Sequence, residues 1–174
     1  DATTAVIPAE WAERSPGPDD VPRAGFTAGP DFESRVEDQP VVWTDAVRFV
    51  GDAVPLRLVN YDNARGTLAD GTRVPRAGTA IPNACRPLEP VSVRIGGGDL
   101  EAEIQPYVHC EGDERVWLVS AGYPVGGGRY RTLVIGQALD QADLDALLVV
   151  LATFEVDDTH IPPVDAPPLP SVPS

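Results

Sequence analysis

Five polar side chains at alternating positions, Glu101, Glu103, Gln105, Tyr107 and His109, form the densest set of chemically able groups in this sequence. Residues two apart on a strand project to the same side. Read as a strand, the segment offers two carboxylates that could hold a cation, or act as acid and base at a glycosidic bond. Against the second use, glycosidase carboxylates usually come from different elements, and the aromatic platform a sugar wants is limited to Tyr107 and Trp117. The plainer reading of this polar row is a solvated outer face.

The other chemical signals are weaker. His109 adjoins Cys110, but neighbours on a strand point to opposite faces, and a disulfide would remove the nucleophile. His160, the second histidine, falls in a proline-rich tail. The runs Gly96-Gly97-Gly98 and Gly126-Gly127-Gly128 are not completed by a Lys and a Ser/Thr at phosphate-loop spacing, so they read as hairpin turns. The acidic sets Asp19-Asp20, Glu111-Gly112-Asp113-Glu114 and Asp157-Asp158 lack the periodic oxygen ligands of a calcium loop. The sequence holds no G-x-S-x-G, no H-E-x-x-H and no dinucleotide fingerprint. No cofactor or metal is expected, and catalysis is the minor reading.

The elements that would position these groups are mostly strands. Between 91 and 137, Val91, Val93 and Ile95 alternate with Ser92 and Arg94, then Leu100, Ala102, Ile104, Pro106 and Val108 alternate with the polar row. Cys110 continues the apolar parity and is expected to face the core. Segments 116–123 and 130–136 are apolar on both faces, as central strands covered on each side would be. These four pieces predict an antiparallel meander over about 91–137. One helix is expected over about 140–153: Asp140 suits the N-cap, Asp143 the first turn, and Leu144, Leu147, Leu148 and Leu151 recur at helical spacing. Earlier, 41–44, 47–50 and 54–61 read as strand pieces, and Asp70-Gly71 as a two-residue hairpin turn. The fold class expected is α+β, mainly antiparallel sheet packed by one C-terminal helix.

Around that core, residues 1–40 carry six prolines without sustained periodicity and read as an extended N-terminal arm anchored by Val6, Ile7, Trp11 and Phe26. Residues 41–154 form the globular domain. Residues 155–174, with six prolines from Pro162 to Pro173, read as a tail or tether.

Charge and cysteine content narrow the setting. The formal net charge of −14 repels phosphate backbones and anionic lipid, so nucleic acid is not an expected partner. Every basic residue is an Arg, which excludes chemistry needing a lysine. No apolar run approaches the length of a membrane span. Cys85 and Cys110 fit no CxxC or zinc spacing, and a disulfide between them closes a loop of about 25 residues, worth on the order of 3 kcal/mol by chain entropy. That bond, with no Met at position 1, leads to the expectation of an exported, extracytoplasmic chain. The function expected first is a non-catalytic module that binds a protein or cell-envelope partner. The alternatives are a small-ligand sensor domain of a membrane receptor, and a hydrolase using Glu101 or Glu103.

Overall fold

Strict alternation along Leu100–Val108 and continuous apolarity in the two segments after it give three long strands hydrogen-bonded side by side. The computed structural model describes residues 2–14, 25–30, 39–49, 85–110, 114–127, 130–161 and 163–164. The strand expectation at 54–61 and the Asp70-Gly71 turn lie outside these residues.

In chain order the elements are β1 (Thr3–Thr4), β2 (Ala12–Arg14), β3 (Thr27–Gly29), β4 (Val41–Phe49), β5 (Arg86–Pro87), β6 (Val91–Ile95), β7 (Leu100–Val108), β8 (Val116–Pro124), β9 (Tyr130–Ala138), α1 (Gln141–Thr153), β10 (Glu155–Val156) and β11 (Pro163–Val164). The main sheet runs β2-β3-β4-β9-β8-β7, with β5 and β6 following one another along the outer side of β7 and β11 joining β4 in parallel. All its other pairings are antiparallel, and β6-β7-β8-β9 is the meander expected over 91–137. The pieces at 41–44 and 47–50 are one strand, β4. β1 and β10 make a separate two-stranded ribbon.

The sheet has two unlike faces. On the helix face, Val42, Val134, Ala138, Leu118, Ala102 and Leu100 meet Leu147, Val150 and Leu151 of α1. The helix begins where expected: the Asp140 carboxylate accepts the Asp143 N–H at 2.9 Å. Its seat on β9 is made by Gly136, where a Cβ would lie 2.7 Å from both Leu147 methyls. Burying Leu147 and Leu151 contributes about 1.5–3 kcal/mol each. Leu148, expected on the same stripe, is instead 49% exposed because it sits on the flank of the buried arc.

The N-terminal segment is built into this face. Trp11, Phe26 and Ala28 are core residues, and the Thr44 hydroxyl accepts from Phe26 N–H and contacts the Thr3 hydroxyl. Asp157 N–H donates to the Ala2 carbonyl, and Ile161 is buried beside Ala2 and Ala46. The described parts of the expected arm and tail therefore pack against each other and the sheet, and removal of 1–40 would strip core side chains. No described helix is long and apolar enough to cross a membrane.

Candidate functional site

The polar row of β7 lies on the face opposite α1. Register fixes its neighbours strand by strand: Tyr107 opposes Trp117, which opposes Gln137; Gln105 opposes Val119, then Ile135, then Trp43; Glu103 opposes Ala121, then Leu133, then Asp45. This face is not a solvated exterior. Trp43, Tyr107, Trp117, Val119, Leu133 and Ile135 form a second core cluster with both cysteines, and Gln105 is buried. Glu101 and Glu103 are half-buried, His109 is exposed, and the Tyr107 hydroxyl donates to Gln105 Oε1 at 3.4 Å.

The Cys85–Cys110 disulfide anchors one end of this face. Cys110 is buried as its parity predicts, but in the cluster away from the helix. The cause is local: His109 adopts φ +54°, a left-handed conformation that ends the alternation of β7 one residue earlier. Cys85 immediately precedes β5, whose Arg86 and Pro87 pair with Val108 and Tyr107, so the bond ties the start of the outer strand onto the sheet.

Sequence reading missed the remaining polar members. Arg131 and Gln137 are 1% and 0% exposed on β9, and Asp45 is buried on β4. Gln137 was hidden because it follows an apolar run, and Arg131 and Asp45 because they have polar neighbours in sequence, Thr132 and Thr44, and read as surface residues. Gln137 Nε2 donates to the Gln39 carbonyl at 2.7 Å. Trp117 Nε1 is buried and has no hydrogen-bond partner among the described residues.

Asp45 and Glu103 are separated by three strand spacings, roughly 14 Å at about 4.8 Å each. Glu101 and Glu103 project from one side of one strand, whereas acid and base must flank opposite sides of a glycosidic bond. Among the described residues no three His, Cys, Asp or Glu are grouped to hold a metal. His160 is taken up locally: its Nδ1 lies 2.7 Å from Asp157 Oδ2. Hydrogen bonds from Thr159 and His160 hold the Asp157 carboxyl below its ordinary range.

Two further surface features lie among the described residues. One is an open groove of about 530 Å³ between Thr4–Val6, the Gly96-Gly97 turn and the end of α1, with Asp99 and Glu155 on its walls. The nearby Tyr130 phenol is pushed above its ordinary pKa by burial, then by the charges of Asp158 and Asp99. The other is the outer edge of the sheet, where nine consecutive residues, 86–94, are all exposed. Leu88, Val91 and Val93 stand there at 38%, 51% and 37% exposure. Val91 and Val93 share the apolar parity of Ile95, yet only Ile95 is buried, because α1 reaches no farther along β6. Compared with known proteins, the chain matches no family model and has no significant sequence similarity to a curated protein.

Proposed function

We propose that this chain is a non-catalytic, extracytoplasmic module that binds a protein or cell-envelope partner. The observation that carries the reading is the apolar edge of residues 86–94. Leu88, Val91 and Val93 remain in water on the rim of a sheet that buries Arg131, Thr132 and Gln137 in its interior. Apolar side chains gathered on an exposed strand are a feature of surfaces that meet another molecule. The disulfide supports the compartment, since such bonds persist where thiols are not kept reduced.

The test is site-specific photo-crosslinking of the chain in its native host, with the crosslinker placed in turn at Leu88, Val125 and Leu148. These are exposed apolar positions between β5 and β6, in the β8–β9 turn and on the helix. A discrete adduct to one protein or envelope component from the extracytoplasmic side supports the module. Absence of an adduct from all three, or recovery of the chain in the cytoplasm with its cysteines reduced, refutes it.

A further inference from the structure

We infer that the edge of β6 is a strand-addition site for an extended, cationic segment of a partner protein. This rests on the module reading above and adds where and how the partner binds.

The argument begins with what blunts the edge and where the blunting stops. An outer strand offers unpaired N–H and C=O groups to any extended chain, and proteins protect such edges with prolines, charges or very short strands. Residues 86–90 follow that rule: Pro87 and Pro90 have no N–H, the ladder with β7 is Arg86 and Pro87 alone, and the Leu88 N–H is taken up by the Pro106 carbonyl at 2.8 Å. From Val91 the protection ends. Val91–Ile95 pairs with β7 along its whole length, from Val91 opposite Ile104 to Ile95 opposite Leu100. Among the described residues no strand pairs with its outer side. Both of its faces are open from Val91 to Arg94, the only such stretch of four within a described strand. Pro90 limits this stretch at one end. Gly96 limits it at the other, where φ is +59° and a Cβ would collide with the Phe154 carbonyl.

The side chains specify the occupant. On the helix face, Val91 and Val93 extend the apolar rows of Ile104 and Ala102, so a strand laid outside β6 gains apolar contact at alternate positions. On the other face Ser92 is small and leaves room for a long basic side chain from the added strand. Arg94 is opposite Glu101 and already has a carboxylate as its cross-strand neighbour. The whole chain carries −14. That charge draws a basic segment and repels a second copy, so the favoured occupant alternates β-branched and basic residues.

The probe is a capped nine-residue peptide alternating Val and Lys, titrated into the intact chain. Expected are saturable binding by calorimetry and slowed amide exchange confined to residues 91–95. A peptide with Glu in place of Lys should bind at least about tenfold more weakly. So should the Lys peptide to the double variant Val91→Thr/Val93→Thr, which keeps β-branched shape and folding but loses the apolar row. Equal binding by the variant would reduce the effect to net charge and overturn the inference, as would absence of saturable binding. A dimer of the free chain that protects residues 91–95 would assign the edge to a second copy and overturn it too. An envelope adduct at Leu148 or Val125 but not Leu88 would leave the module reading standing while this site fails.

Discussion

β9 and β6 belong to one sheet and invert the usual relation between polarity and burial. β9 is covered on both faces yet contains Arg131, Thr132 and Gln137 at 0–1% exposure. β6 is open on both faces over four residues yet carries Val91 and Val93. A buried polar group costs free energy that a hydrogen bond offsets, as the bond from the Gln137 amide nitrogen to the Gln39 carbonyl does. An exposed Val needs no such arrangement, but a row of them on an open strand is an invitation to pair. Burial in this protein is thus set by position in the sheet and by where the cover ends.

The largest way to break the contrast is at the centre. Leu133→Ala on β9, fully buried among Trp43, Trp117 and Ile135, should cost about 2.7–5.0 kcal/mol, read as a lower urea midpoint with an unchanged slope. Removing the disulfide with Cys85→Ser and Cys110→Ser, which frees a loop with sequence separation 25, should cost about 3 kcal/mol. Gly136→Ala pushes a methyl into Leu147 and should cost about 1–3 kcal/mol, with the α1 amides losing protection first. At the edge, Val91→Thr with Val93→Thr should move stability by no more than about 0.5 kcal/mol while weakening the Lys peptide.

The smallest effects are titrations. Asp157 has its carboxyl lowered by Thr159 and His160, so its contribution is present above the unfolded-state value and fades as pH falls through the folded one. Because the group is fully exposed, Asp157→Asn should leave the acid unfolding curve nearly unmoved. Tyr130 has the opposite sign: its raised pKa adds stability below the ordinary phenol value that is lost as pH rises through the folded one. Absorbance at alkaline pH should include a late-ionising phenol that Tyr130→Phe removes.

Much of this was legible because local signals agreed with the fold. Alternation in Leu100–Val108, the glycine turns and the Asp140 cap define the meander and helix before any tertiary contact is known. The polar row was legible as a row but not as an interior one: alternation says which residues share a face, and the burial of that face depends on its cover. Cys110 shows the limit of parity, since one left-handed residue, His109, exchanges the faces. Val91 and Val93 show the converse, because apolar alternation looks the same whether or not a helix reaches over it. The N-terminal strands were hidden by their brevity, with β1 spanning Thr3–Thr4 and β2 and β3 three residues each.

The most direct test of this account is amide hydrogen exchange on the free chain, residue by residue. The amides of β8 and β9 should open only with global unfolding, whereas every second amide across 91–94 should exchange as an unpaired group does, with its neighbours held by β7. If all four amides from Val91 to Arg94 exchange as slowly as those of β9, the edge is already occupied, and the account of where this protein binds its partner is wrong.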